Sequence, residues 1–274
     1  MNLSAHRLDP STRSNVARDA FDVLETVEHL PADATGELVL EREGVPCGVV
    51  LVEKGRVCWA AARGLAQRLS DLLRAQTRPQ LSKSEMEALF HHGREQHKPL
   101  GELLVESGLM APDALLCSLR RHTAESLIEI GKTSVLARWS KRPAGTYEPR
   151  FTFTPFELAL CVGALLDGRD PRATGDSLAE HGISWGAAFA RRDSATLPIA
   201  ATGVRTVSVL RRLAADAATS MDVATMIDDT TSFVFASGAH GGGLMTWRDG
   251  SLLIVGKIEN RPHLARSLGL LTER

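Results

Sequence analysis

Residues 36–60 carry the pattern that most restricts the fold: three short apolar runs separated by two turn signals. In 36–41 (GELVLE), Leu38 and Leu40 fall on one face at the period of two that a half-buried strand requires. Arg42-Glu43-Gly44 follows as a turn, 48–52 reads as a second strand, Lys54-Gly55 as a second turn, and 56–60 (RVCWA) as a third strand. Strands joined by turns this short pair with their sequence neighbours, so the segment predicts an antiparallel meander.

After Gly64 the period changes. Leu65, Leu69, Leu72 and Leu73 stand at i, i+4, i+7 and i+8, one stripe of a helix that would cover a face of the meander. Residues 75–83 contain Pro79 and many polar side chains and read as a linker. From 84 to 130 the pattern is helical: one segment to about residue 97, a second over 100–107, and a third opened by Pro112-Asp113 and stopped by Gly131. Leu116, Leu119, Leu127 and Ile130 mark the expected buried side of the third. Residues 147–153 read as a short strand and 155–166 as an apolar helix.

The loop 167–176 (DGRDPRATGD), with two glycines, a proline and five charges, marks a domain boundary. Beyond it, strands are expected at 184–191, 196–200, 231–237, 244–248 and 251–258, with helices at 204–221 and 261–271 and a tight hairpin at Asp249-Gly250. The fold class is therefore α+β. Its organisation is a flexible leader (1–20), a first domain (21–168) with a helical insertion at about 81–131, a linker (169–176) and a second domain (177–274). A length of 274 residues suits two such units.

A formal charge of -1 implies no bulk attraction to nucleic acid or anionic membrane. The polar start MNLSAHRLDPSTRSN lacks the apolar stretch of a secretory signal, and the longest apolar run, 158–166, is far shorter than a membrane span, so the cytoplasm is the expected compartment. Cys47, Cys58, Cys117 and Cys161 are scattered in apolar contexts with no CxxC pair, which reads as core packing and predicts no metal or cofactor.

Several short motifs invite chemistry and fail on context. Gly175-Asp176-Ser177-Leu178 spells a hydrolase nucleophile block, but Ser177 follows a loop, and no histidine has Asp three residues before it; a helix cap is the simpler role. His240-Gly241-Gly242-Gly243 resembles an oxyanion loop without a G-x-S-x-G elbow. Gly131-Lys132-Thr133 resembles the end of a phosphate loop, yet a helix precedes it where a strand is needed. His91, His92 and His97 do not share a helical face. Arg120-Arg121-His122 opens a segment, 112–150, with seven Lys/Arg against four Asp/Glu, which suggests a DNA-reading helix; a solvated helix face is the plainer account.

The order TGELVLEREGVPCGVVLVEKGRVCWA, followed by a leucine-rich helix and resuming at Gly145-Thr146-Tyr147, resembles the PATAN domain of bacterial regulatory proteins. The interruption KPLGELLVESGLMAPDALLCSLRRHT (98–123) is similar to the helical module at the N-terminus of secretion and pilus assembly ATPases. The ATPase itself is missing, and the longer motifs with which some members bind a cyclic dinucleotide are incomplete. The last hundred residues resemble a Roadblock/LC7 domain in element order: helix, two strands, helix, three strands, helix. These resemblances imply a non-enzymatic bacterial signalling adaptor acting through other proteins, such as a small GTPase or a response regulator. They also imply a homodimer; the near-neutral charge and the short apolar runs separately give no membrane partner and make nucleic acid the less favoured one. A nucleic-acid-binding regulator using the helix around Arg120 is the first alternative, and an unrecognised enzyme the second.

The helix 204–221 is the expected interface. Val207, Leu210, Ala214, Ala217 and Met221 lie within about 80° of one another and would cover one face of a sheet. Val209 and Leu213 widen the apolar surface on one flank, and Val204, Ala215 and Ala218 on the other, which makes these five the candidate contact residues.

Overall fold

The computed structural model of the protein describes residues 14–143, 147–170, 178, 185–192, 195–227, 233–237, 243–249 and 252–258. The chain divides into two compact units, Met1–Leu158 and Ala159–Arg274. The division falls earlier than the loop 167–176.

Unit 1 is built on a five-stranded antiparallel sheet of β1 (Ser14–Ala17), β2 (Gly36–Arg42), β3 (Val45–Glu53), β4 (Arg56–Ala62) and β5 (Val135–Lys141), in the order β1-β5-β2-β3-β4. The meander β2-β3-β4 stands where the sequence placed it. Its two turns, Glu43-Gly44 (φ 52° and 79°) and Lys54-Gly55 (φ 51° and 70°), have two consecutive residues at positive φ. That backbone matches the twist of the flanking strands and is open to glycine without steric cost. Register shifts at Leu40/Glu41 and Leu51/Val52 mark bulges.

β5 inserts between β1 and β2, so the chain returns to this sheet after the helical excursion. Neither β1 nor β5 was expected, and residues 14–20, read as leader, form β1 and the start of helix α1 (Ala20–Glu28). Asp19 caps that helix by accepting from Asp22 N at 2.8 Å. The strand expected at 147–153 is instead a 3-10 turn, Pro149–Phe151, with one bridge between Val57 and Phe153. Pro149 at the start of the turn cannot donate to a ladder.

Four helices form the excursion: α2 (Leu69–Gln76), α3 (Lys83–Glu95), α4 (Leu100–Glu106) and α5 (Pro112–Ile130). α3 opens with a capping box in which Ser82 Oγ accepts from Glu85 N and Glu85 Oε2 accepts from Ser82 N. Leu73, Met86, Leu104, Met110, Leu115 and Phe151 close a common core. α5 is the central helix and packs on β4, α2, α1 and α4. One sheet face, carrying Leu38, Leu40, Val50, Val52 and Ala60, is no more than 1% exposed. Each of its leucines and valines contributes about 1.5–3 kcal/mol by leaving water.

Helix α6 (Pro155–Leu166) runs across the division. Unit 2 holds a second antiparallel sheet of β6 (Trp185–Arg192), β7 (Ala195–Thr202), β8 (Phe233–Ser237), β9 (Gly243–Asp249) and β10 (Leu252–Ile258), with helix α7 (Val207–Ile227) between β7 and β8. The order is β7-β6-β10-β9-β8. After the β6-β7 hairpin, α7 carries the chain to the far edge, and the β8-β9-β10 meander brings β10 back beside β6. Leu252 stands opposite Asp249, so β9 and β10 are joined as a hairpin, one residue later than a two-residue turn at Asp249-Gly250 would place it. Residues 186–190 of β6 are all buried, so both faces of this sheet are covered there. Leu178, Ala188, Ala190, Ile199, Ala200 and Ile254 form one cluster of that core. The helix expected at 261–271 lies outside the described residues.

Candidate interaction surface

α7 begins later and ends later than its apolar pattern suggested. Thr206 Oγ1 accepts from Val209 N at 3.3 Å and Thr206 O accepts from Leu210 N at 3.2 Å, so Thr206 caps the helix and Val204 precedes it. No glycine or proline interrupts 207–227, and Asp222 is held by Arg191 at 2.7 Å, which lets the helix run on past Met221. Val207, Leu210, Ala217 and Met221 are at most 1% exposed, and α7 packs on β7 and β10.

This geometry sorts the five candidate residues. Val204 (3% exposed) and Leu213 (6%) are buried within their own chain and present no contact surface. Ala218 is half-buried, while Val209 and Ala215 are exposed. Two further exposed apolar residues, Val223 (53%) and Met226 (87%), were missed because the expected helix stopped short of them. Val209, Arg212, Asp216, Thr219, Val223 and Met226 follow one another at spacings of three and four, the a/d line along which two helices pair. Apolar residues hold both ends of that ridge, and the charged pair Arg212 and Asp216 stands between them.

The other motifs are accounted for locally. Arg120 lays its guanidinium over the Phe153 ring at 5.6 Å, Arg121 pairs with Glu125 at 2.8 Å, and His122 is buried at 6% exposure. Further along the basic segment, Lys132, Arg142 and Arg150 pair with Glu129, Glu37 and Glu148. Arg138 lies 3.0 Å from Glu41, an ion pair without hydrogen-bond alignment. Little free cationic surface is left on α5. Gly131 ends α5, its N–H donating to Leu127 O, and a strand follows where a phosphate loop would start a helix.

His91, His92 and His97 are exposed, and no group of three His, Cys, Asp or Glu among the described residues is placed to hold a metal. All four cysteines are free thiols. Burial, with the nearby Glu53 charge adding to it, pushes the Cys58 thiol up to about 12, which keeps it protonated and unreactive. Ser177 and His240 lie outside the described residues. No described helix is long and apolar enough to cross a membrane. Comparison of the chain with family models, with curated proteins and with solved structures finds no match in any of the three.

Proposed function

We propose that the chain is a non-enzymatic bacterial regulatory adaptor, a PATAN-like unit joined to a Roadblock/LC7-like unit, acting through protein–protein contacts and self-association. The exposed ridge of α7 is the observation that carries this reading. A surface helix packed on one side has no use for Val209, Val223 and Met226 in water, and apolar residues at a/d spacing on an exposed face fit a partner helix. In an antiparallel pairing about Asp216 and Thr219, Val209 of each copy meets Met226 of a second copy.

Element order supports the Roadblock/LC7-like half, since two strands, a helix and three strands occur in that sequence. The meander with its leucine-bearing helix supports the PATAN-like half. Small GTPases and response regulators are the proposed partner class, and the cytoplasm the proposed compartment. Gentle purification of the full chain from its own cells should bring down a second protein in fixed ratio. Co-purifying nucleic acid released by rising salt would contradict the reading.

A further inference from the structure

Helix α5 packs on β4 and β3 of the unit 1 sheet, and the face turned from the buried Leu38, Leu40, Val50 and Ala60 is only partly covered. Val39, Val49, Leu51 and Ala61 alternate with the buried inner-face residues and remain half-buried. Over β2, β3 and β4 on this side lies an open pocket of about 440 Å³. Val39, Val49 and Ala61 line it, together with Cys47, whose thiol donates to Leu40 O at 3.3 Å. Its two charged lining residues differ in state. Glu37 is held by Arg142 at 2.6 Å, whereas Arg63 is exposed and makes no ion pair with any described residue.

We propose that this pocket is a docking groove for an acidic amphipathic helix of a partner protein. An aliphatic floor spread over three strands matches the apolar stripe of a helix laid across a sheet. A small ligand would need enclosure on most of its surface, which an open groove does not give. Arg63 sets the sign of the partner, because an uncompensated guanidinium at an apolar rim takes a carboxylate with two parallel hydrogen bonds. The groove thus selects leucine-like side chains flanked by Asp or Glu. This inference rests on the adaptor reading in taking its ligand to be a protein, and it assigns that ligand to the sheet of unit 1 instead of the α7 ridge.

The test uses the full chain and two synthetic helical peptides of about 18 residues, or five turns. They share one leucine stripe and differ in flanks, glutamate in one and lysine in the other. Fluorescence anisotropy should show the glutamate peptide binding the tighter of the two. Arg63→Glu, a change at an exposed position that spares the core, should weaken it at least about tenfold and reverse the preference. Val49→Asp should abolish both. Equal binding of the two peptides, or a preference that survives Arg63→Glu, would overturn the proposal. So would capture of the chain by anionic phosphatidylglycerol vesicles that Arg63→Glu abolishes, or self-association abolished by Val49→Asp without peptide binding. A second protein retained at the α7 ridge while both peptides ignore the groove would defeat this inference and leave the adaptor reading standing.

Discussion

The His122 imidazole is buried in the face of α5 that packs on β4, where its ring bonds the Ala60 backbone and its Nδ1 has no partner. Burial lowers its pKa below the usual imidazole value near 6.5, with the Glu125 carboxylate and the Ala60 bond opposing the shift. A proton arriving at Nδ1 would find no acceptor, so the folded state holds the neutral ring. The unfolded chain binds that proton more readily. The stability contributed is therefore complete above about pH 6.5 and is lost as the pH falls through the lower folded value. Urea midpoints taken from pH 8 down to pH 5 should drop for the wild type and drop less for His122→Gln; parallel profiles would show that His122 does not couple to folding. This residue was illegible in the sequence because Arg120-Arg121-His122 reads as one basic cluster. On a helix, successive side chains point 100° apart, and the three end on Phe153, on Glu125 and in the core.

At the scale of elements, the sequence was clearest where local chemistry sets the geometry. The hairpins β2-β3 and β3-β4 were read from alternation and two glycine turns, and α5 from Pro112 and Gly131. β5 was missed because Arg138, Lys141 and neighbouring polar residues look like a solvated loop. In the sheet, Arg138 reaches Glu41 of β2, and Arg142, just past the strand, reaches Glu37 of β2, partners about a hundred positions earlier. β1 is four residues long and has almost no pattern to show. The end of α7 was missed because Asp222 looks like a stop until Arg191 is placed beside it.

The contact of α6 with β7 was equally hidden, although it fixes a residue. A Cβ on Gly163 would fall 1.8 Å from Pro198 O, so the helix lies against the strand backbone with no room for a side chain. Pro198 is tolerated because β7 is an edge strand. Gly163→Ala would ordinarily favour a helix, yet here it should destabilise unit 2 by about 1–3 kcal/mol through overpacking. Thermal unfolding of the variant measures this, and an unchanged or raised midpoint would show that α6 and β7 have slack between them.

For the whole molecule, the α+β class was legible, whereas the chain divides after Leu158 instead of in the loop 167–176, and the exposed apolar ridge of α7 was only partly foreseen. Of the five candidate residues, Val209 and Ala215 reach the exposed face and Val204 and Leu213 turn inward, because a helical wheel gives angles without saying where the helix starts. Val223 and Met226 complete the ridge that the adaptor reading depends on. The most direct measurement is light scattering on the full chain at tens of micromolar, wild type beside Met226→Glu. Position 226 is exposed, so the charge should spare the core while setting a carboxylate against Val209 of the second copy in the antiparallel helix pair. The wild type should have the mass of two chains and the variant, still folded by circular dichroism, the mass of one. A monomeric wild type, or a variant that remains dimeric with unchanged affinity, would contradict self-association through α7.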